Sequence, residues 1–470
     1  VCLTCLSMKG SIRRLFRAIL FIHLSDFIVI KISCYYILMI TFKRYLNRNV
    51  YYLFLIIYVV SLPLKSNEDF YEIYKYLHQN PELSLQESET TKYLEDLLED
   101  YGYEIITNIG GNGFAAILKN GGNKTVLFRA DMDALPIKEE TGISFESVKT
   151  TKQNGMNVPI MHACGHDIHM TSLIGTAEYF SKNKDSWKGT IIFILQPAEE
   201  IGFGARQMIK AGLFKQIPYP DINLALHVSA QTQSGTVHIT PGFAMANVDS
   251  VDVTFYGEGG HGAYPHLTKD PILMSSQFIT SVQTIISRNL SPINAGVVTV
   301  GSIHGGTKHN IIPNHVDLQI TVRSYSDEDR ELIISRIKKI AESIAIQNDL
   351  PKNLYPIVKL RDEYTPAVFN NPDLAMRAKE ILTKELGKGK VFDGPQVMGG
   401  EDFGQFGRVE PKIPSLLFWI GAVSEKDYKE FLNNSKKLPS LHSSKFLPDY
   451  EKTIDTGISS SFALIKAHLK

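Results

Sequence analysis

A ten-residue stretch, MHACGHDIHM at residues 161–170, places one cysteine among three histidines. Cysteine and histidine are ligands that zinc and other borderline metal ions prefer in proteins. A lone cysteine is more often a small buried hydrophobic residue, however, and a lone histidine more often an ordinary core or surface residue. The other cysteines, Cys2, Cys5 and Cys34, lie in the N-terminal segment, so Cys164 has no disulfide partner nearby. The stretch alone leaves a metal site and an ordinary core segment both open.

Further metal-binding side chains follow three predicted strands, each at the point where the strand ends. Open α/β sheets gather their ligand and catalytic groups at the C-terminal ends of strands, so these side chains should meet at one edge. The cysteine-containing stretch opens the helix before the strand that leads to the glutamates, so it can face the same edge. The side chains at these strand ends are Asp131 and Asp133 after KTVLFRA, Glu199 and Glu200 after GTIIFILQPA, and His227 at the end of INLALHV.

The two adjacent glutamates suit hydrolysis if they have different roles, one as a metal ligand and the other as a base. One carboxylate can bind a metal ion while its neighbour stays free to accept a proton from water that the ion has acidified. A solvated helix start is the ordinary explanation of the AEE sequence by itself. The location of Glu199 and Glu200 after a buried strand and a proline favours the catalytic explanation.

The elements that would position these groups alternate between helix and strand after residue 67. FYEIYKYLHQNPEL and ESETTKYLEDLLEDYG repeat apolar residues at helical spacing, whereas GFAAILK, KTVLFRA, GTIIFILQ and INLALHV are short β-rich runs. This alternation predicts an α/β fold with a mostly parallel sheet and helices on both faces. The length of 470 residues allows two or three domains, and the zero net charge gives no electrostatic reason to expect a nucleic-acid partner.

Residues 249–357 differ in pattern from the segments on either side and predict an inserted domain. A β-rich run begins at SVDVTFYGEG, and the order of strands and helices that follows is β-α-β-β-α. This order fits a small α+β sandwich, in which helices pack on an antiparallel sheet. The catalytic domain would then be formed by residues 67–248 and 358–470.

Residues 1–66 form an N-terminal extension that is apolar and dotted with basic residues. From residue 39 a basic stretch leads into VYYLFLIIYVVSLPL, which fits the apolar region of a secretory signal over residues 39–66. An uncleaved membrane anchor is one alternative, and a segment before Met39 that is never translated is another. A cleaved signal predicts export from the cytoplasm, and without one the protein is expected in the cytoplasm.

Seven motifs occur in one order along the chain: FRADMDALPI, MHACGHDIHM, LQPAEE, GGHGAYPH, HNIIPN, MGGEDF and LHSSKFLPD. Together they resemble the signatures of the metal-dependent aminoacylase and carboxypeptidase G family. The most similar branch contains hippurate hydrolases, N-acyl-amino-acid amidohydrolases and the plant auxin-conjugate (indoleacetyl-amino-acid) hydrolases. The opening LHQNPELSLQE also resembles that branch, so the likeness runs from about residue 67 to the C-terminus.

The resemblance implies a zinc-exopeptidase-like fold and a centre of two divalent ions, manganese or zinc. Cys164 matches the position that bridges the two ions, while His162 and His169 would be neighbours rather than ligands. Glu199 matches the general base, and Asp133 matches the carboxylate that orients a ligand. The full set of implied ligands is Cys164, His166, Glu200, His227 and His442.

The same resemblance assigns substrate contacts to the inserted segment and to MGGEDF. His261 would face the developing oxyanion, and Arg323 would face a substrate carboxylate. Without the resemblance, Arg323 and His442 would be taken as exposed surface residues and MGGEDF as a turn. Inserts of this family form a lid that also makes the dimer, so a homodimer is expected. The other residues matched to the substrate pocket are Asn310, Met398, Gly399 and Glu401.

The activity that the resemblance implies is hydrolysis of the amide bond of an N-acyl amino acid, hippurate-like or indoleacetyl-amino-acid-like. The substrate partner would be a small molecule, and the products a carboxylic acid and an amino acid. A di- or tripeptidase or an N-deacetylase of the same family is the alternative, because acyl specificity depends on pocket shape rather than on ligand motifs. A non-catalytic binding protein on this scaffold is a second alternative, which the intact set of ligands and base disfavours.

Overall fold

The computed structural model describes residues 68–469. The signal segment predicted over residues 39–66 lies outside the described residues, so export stays a prediction. Among the helices of the described part, none is long and apolar enough to cross a bilayer.

Helices and strands alternate along much of the described chain, as the sequence pattern predicts. The helices are, in chain order, α1 (Glu68–Gln79), α2 (Ser88–Asp100), α3 (His166–Lys182), α4 (Gly204–Lys210), α5 (Leu213–Gln216), α6 (Pro271–Thr284), α7 (Asp327–Gln347), α8 (Pro372–Leu386), α9 (Gly404–Gly407), α10 (Glu425–Leu432) and α11 (Tyr450–His468). The strands are β1 (Glu104–Ile106), β2 (Phe114–Lys119), β3 (Thr125–Asp131), β4 (Thr150–Gln153), β5 (Met156–Pro159), β6 (Thr190–Gln196), β7 (Ile222–Gln233), β8 (Val237–Ile239), β9 (Gly242–Met245), β10 (Val248–Tyr256), β11 (Gly260–His261), β12 (Gly296–His304), β13 (Ile311–Ile312), β14 (His315–Ser324), β15 (Ile357–Thr365), β16 (Val368–Asn370), β17 (Val391–Asp393) and β18 (Ser415–Val423).

An eight-stranded sheet in the order β1-β2-β6-β3-β7-β18-β8-β17 forms the centre of the catalytic domain. Its middle strands β6, β3, β7 and β18 are all parallel to one another, whereas β1 and β2 join one edge in antiparallel pairing. Every residue of β3 and of β18 is buried, which agrees with their largely apolar sequences. The predicted mostly parallel sheet is confirmed.

Helices cover both faces of this sheet, as predicted. Along β3, Val126 and Phe128 join the apolar core that contains residues of α1, α3 and α11, whereas Leu127 joins the opposite core with residues of α4 and α5. α3 contacts the sheet, α1 and α11, so it is buried on nearly all sides. The helix that begins at His166 is therefore held firmly against the strand ends that carry the site.

A second sheet has four antiparallel strands in the order β12-β14-β10-β15. Buried and more exposed residues alternate along β10 and β14, because α6 and α7 cover only one face of this sheet. This confirms the predicted α+β insert. Its sheet continues past residue 357, where the sequence predicts the insert to end, because β15 pairs with β10 as far as Thr365. Alternating polar residues in IVKLRDEYT conceal this last strand, whose Val358 and Leu360 are packed against the insert's core.

Candidate metal centre

Gly165 sets the geometry of the cysteine-containing stretch. Its φ of 80° lies in the left-handed region, which glycine adopts at low cost, and a Cβ there would lie 2.5 Å from Cγ2 of Val228. α3 begins at the next residue, so Cys164 and His166 flank the turn, and both are buried. One turn therefore brings together the two side chains of the CGH sequence.

A strained turn after β6 delivers the two glutamates. Ala198 has a φ of 53°, in the left-handed region that residues with a side chain rarely adopt. The carboxylate of Asp133 accepts the main-chain N–H of Glu199 at 3.1 Å and that of Glu200 at 3.0 Å. Asp133 thus orients the predicted base and the predicted ligand together, through their main chain.

Cys164 lies at the centre of the five predicted ligands. Its Sγ atom is 3.7 Å from Nε2 of His227 and 3.3 Å from Nε2 of His442. The carboxylate of Glu200 lies 3.4 Å from Nε2 of His442 and 3.9 Å from Nε2 of His166. Cys164 belongs to two groups with ligand spacing, one with His166 and His227 and one with Glu200 and His442, and Glu199 forms a third such group with His166 and Glu200. The structure therefore brings all five residues together, with Cys164 common to two of these groups.

The ring hydrogen bonds of His166 and His227 leave one nitrogen of each ring free to bind an ion. Nδ1 of His166 donates to the main-chain oxygen of Asp133 at 2.7 Å, and Nδ1 of His227 donates to that of Val228 at 2.8 Å. Within the described residues, Nε2 of His166 and Oε1 of Glu200 are buried without a hydrogen-bond partner. Metal-binding histidines typically donate their other N–H in this way. The donor set therefore fits divalent cations.

The electrostatics of the cluster also suit cations. Burial, together with Glu200, raises the pKa of the Cys164 thiol well above its ordinary value. Burial raises the pKa of Glu200 to about 7, and burial with the neighbouring Glu401 raises that of Glu199. A positive charge close to such groups favours their deprotonated forms. Because ligands bind metals in those forms, ion binding here should release protons.

The remaining histidines of the stretch are poorly placed to bind an ion. His169 lies within ligand distance of Asp131 and His166, but both of its nitrogens are occupied. Nδ1 donates to Asp131 at 2.6 Å, and Nε2 accepts the N–H of Val228 at 3.0 Å. His162 is buried, which lowers its pKa to about 4, and it belongs to none of the ligand groups found among the described residues. These contacts favour the predicted role of both histidines as neighbours.

A buried arginine organises the carboxylates beside Glu199. Arg129 is completely buried and donates to Asp131 at 2.7 Å, to Glu401 at 2.9 and 3.2 Å, and to Asp402 at 3.2 Å. Carboxylate oxygens of Glu199, Glu401 and Asp402 lie within 4.8 Å of one another. Glu401 is matched by sequence to the substrate pocket, but its buried contacts with Arg129 favour a positioning role.

His261 and Asn310 lie on the exposed surface of the inserted segment. His261 ends β11, Asn310 precedes the paired strand β13, and the N–H of Gly262 donates to the main-chain oxygen of Asn310 at 2.9 Å. Nδ1 of His261 accepts the N–H of Ala263 at 3.0 Å. In the described part of the chain, no hydrogen bond or ion pair joins either side chain to the five ligands, so the structure does not bring them into the cluster.

Arg323 lies next to the MGGEDF segment. Its side chain is half-buried, and its Nη1 atom is 3.2 Å from the position that a Cβ at Gly400 would occupy. Met398 and Gly399 come just before this point, and Glu401 follows it. The structure thus places the predicted carboxylate-binding residue against the loop that carries Met398, Gly399 and Glu401.

Two features of the site escaped prediction from the sequence. Arg129 stands in the FRADMDALPI motif, and a charged residue inside an otherwise apolar strand is the sequence signal of a buried ion pair. His78 lies within LHQNPELSLQE and donates to Asp167 at 2.7 Å and to Glu139 at 3.1 Å. Asp167 follows His166 in the first turn of α3, so this buried triad ties α1 to the helix of the site.

The comparisons with known proteins agree with this geometry. The family described as Peptidase family M20/M25/M40 matches residues 127–439. An N-acetyldiaminopimelate deacetylase of Leuconostoc mesenteroides is 35% identical over 362 residues, which cover 76% of this chain and 89% of that protein. Thermostable carboxypeptidase 2 of Saccharolobus solfataricus is 35% identical over 374 residues, 78% of this chain and 89% of that protein. The solved Bacillus subtilis YXEP protein, described as a dinuclear metal binding peptidase from the M20 family, is 28% identical with a TM-score of 0.68, covering 86% of this chain and 98% of its own.

Proposed function

Since the chain belongs to Peptidase family M20/M25/M40 and is a metal-dependent amide hydrolase, we propose that it removes the acyl group from an N-acyl amino acid. The observation that carries this proposal is the position of Cys164, which is shared by two ligand groups next to the carboxylate of Glu199. A binding protein would need the ligands, but it would have no need for a carboxylate left free beside them.

Two divalent ions would be held by the five clustered ligands. Cys164, His166 and His227 suit one ion, and Cys164, Glu200 and His442 suit the other. Ions held there supply Lewis acidity toward a carbonyl oxygen and toward water. A shared thiolate favours zinc, whereas the family resemblance favours manganese, so both are candidates.

The protein's own residues perform the proton transfers and bind the substrate. Glu199 accepts a proton from the attacking water on its carboxylate and then delivers it to the departing amine. Asp133 aims Glu199 by holding its main-chain N–H. Arg323 pairs with the substrate carboxylate beside Gly400, and His261 donates to the developing oxyanion. The exposure of His261 on the insert requires that the insert reach the site during the reaction.

The proposal extends to the identity of the acyl group that the substrate carries. Relatives named N-acetyldiaminopimelate deacetylase support a small acyl group, and so favour the N-deacetylase alternative over hippurate-like or indoleacetyl-amino-acid-like substrates. The test is a panel of acetyl, benzoyl and indoleacetyl amino acids and blocked dipeptides, with metal analysis of the purified protein. We expect acetyl amino acids to be cleaved with the highest kcat/KM. Preference for blocked dipeptides would indicate a carboxypeptidase, and two bound ions without any hydrolysis would reject the proposal.

A homodimer formed through the insert is a further part of the proposal. The insert exposes large apolar side chains, among them Ile272, Leu273 and Ile303, and a second copy would cover such a surface. Light scattering at micromolar concentration should give twice the mass of the chain. A monomer at that concentration would contradict a stable dimer.

Export after cleavage of the N-terminal segment completes the proposal, and VYYLFLIIYVVSLPL supports it. N-terminal sequencing of native protein should give a start between residues 61 and 67. Recovery of residues upstream of Val50 would contradict cleavage.

A further inference from the structure

Glu87 connects the start of α2 to the turn that carries the two glutamates of the site. Its side chain is completely buried, and its Oε1 atom accepts the N–H of Ala198 at 2.8 Å and the N–H of Leu85 at 2.9 Å. Its Oε2 atom accepts a hydrogen bond from the side-chain amide of Asn112 at 2.9 Å. Three donors therefore fix this carboxylate against the main chain that leads directly into Glu199.

Both residues whose N–H groups reach Oε1 have a left-handed backbone. The φ angle is 53° at Ala198 and 69° at Leu85, although both residues carry a Cβ. Such conformations persist only where the surrounding structure holds them. Hydrogen bonds to Glu87 therefore offset strain at the two turns that need it.

The side chain of Glu87 is available for this task because another residue caps α2. Glu82 accepts the N–H of Thr90 at 2.8 Å and that of Glu89 at 3.3 Å in the first turn of the helix. Glu87 immediately precedes α2, yet its side chain makes no capping hydrogen bond there. The two carboxylates are both buried in one loop, but Glu82 accepts hydrogen bonds from the start of α2, whereas Glu87 accepts one from the Ala198 turn.

We infer that Glu87 is a positioning residue that holds the Ala198 turn, and thereby aligns the base Glu199 and the ligand Glu200 with the metal cluster. The inference rests on the proposed function for the roles of those two glutamates. Loss of Glu87 should loosen the ion that needs Glu200 more than the other ion, whose ligands are carried by other segments: Cys164, His166 and His227.

Hydrogen exchange of the metal-free protein tests the clamp without any measure of activity. In Glu87→Ala, we expect amides in residues 198–204 to exchange roughly tenfold faster, the effect of losing about one buried hydrogen bond. Asn112→Ala removes only the donor to Oε2, so it should speed exchange of the same amides less than Glu87→Ala does. It provides the test if Glu87→Ala fails to fold. Glu82→Ala is the matched control, and it should speed exchange in residues 88–91 while leaving the exchange of residues 198–204 unchanged.

Zinc titration and kinetics give the second measurement. The native protein and Glu82→Ala should each bind two zinc ions tightly, whereas Glu87→Ala should bind one tightly and the other roughly tenfold more weakly, with lower kcat and nearly native KM. Exchange of residues 198–204 at the native rate in both Glu87→Ala and Asn112→Ala would overturn the inference. Equal effects of Glu82→Ala and Glu87→Ala on these residues would also overturn it. If the native protein bound no zinc or cleaved no N-acyl amino acid, the proposed function would fail, while the exchange measurement would still decide the clamp.

Discussion

The Nε2 atom of His442 lies 3.3 Å from the Sγ atom of Cys164, although 278 positions separate the two residues in the chain. The main-chain N–H of His442 donates to the main-chain oxygen of Ala163 at 2.9 Å, and its φ of 64° turns the chain at that point. The last of the predicted ligands is therefore held by its own main chain against the residue before the cysteine. Its imidazole is half exposed, so His442 forms the outer wall of the cluster and Cys164 the inner wall.

Replacing Cys164 with alanine should remove the one ligand that both groups share. We expect weak binding of both ions, and an activity that excess metal does not restore to the native level. The measurement is elemental analysis after gel filtration, alongside turnover of an N-acyl amino acid. His162→Leu is the matched control, because His162 is buried in the same stretch and belongs to no ligand group of the described residues. Two ions retained by Cys164→Ala would contradict a shared ligand.

The two adjacent glutamates should respond differently to the same substitution. Glu199→Gln should retain both ions and lose about 10²–10⁴-fold in turnover, because an amide cannot accept the proton. Glu200→Gln should instead bind metal less tightly, with activity that excess metal partly restores. Metal content and kcat of both variants are compared at several metal concentrations. If Glu199→Gln lost its metal while Glu200→Gln kept two ions but was inactive, the two roles would be exchanged. Full activity of both variants would reject the hydrolase mechanism.

The catalytic sheet and the ligand cluster follow closely from the sequence. Because parallel strands bring their carboxyl ends to one edge, the polar residues at the predicted strand ends were expected to meet. The structure brings together Asp133 and Glu200, which follow β3 and β6, and His227, which lies within the longer strand β7. Local pattern did not indicate His442, since its position depends on a contact between distant segments of the chain. Only the motif LHSSKFLPD identified it.

Features that depend on packing between distant elements were not predictable. Arg129 stands in an apolar strand, and its carboxylate partners come from β3 and from a loop more than two hundred residues away. Glu87 has the ordinary pattern of a residue at a helix start, and only the folded chain shows its side chain turned toward Ala198. The strand β15 is hard to see in the sequence for a related reason, because polar residues alternate with Val358 and Leu360, which pack against the insert's core.

Removing the buried charge of Arg129 should destabilise the protein strongly. Arg129→Met leaves the carboxylates of Asp131, Glu401 and Asp402 without their buried partner, a loss of about 3–5 kcal/mol in the free energy of unfolding. Arg408→Met is the control, because Arg408 pairs with Asp327 at 2.6 Å on the surface and should cost about 0–1 kcal/mol. Urea unfolding of both variants decides the matter. Equal losses would mean that the buried network contributes no more than an exposed ion pair.

The buried triad of His78, Asp167 and Glu139 should make stability depend on pH. Burial alone would lower the pKa of His78, but its hydrogen bonds to Asp167 and Glu139 outweigh burial and raise that pKa from 6.5 to about 9. The protonated ring therefore contributes fully to stability below pH 6.5, and that contribution is lost as the pH rises through 9, in all about 3 kcal/mol. Urea unfolding from pH 6 to pH 10 should show this decline in the native chain, beyond whatever other groups contribute. His78→Gln should be less stable at pH 6 and should lack that part of the decline, because an amide does not titrate in this range. A decline of the same size in both proteins would mean that His78 is neutral in the folded chain, and that the triad holds α1 to α3 by uncharged hydrogen bonds.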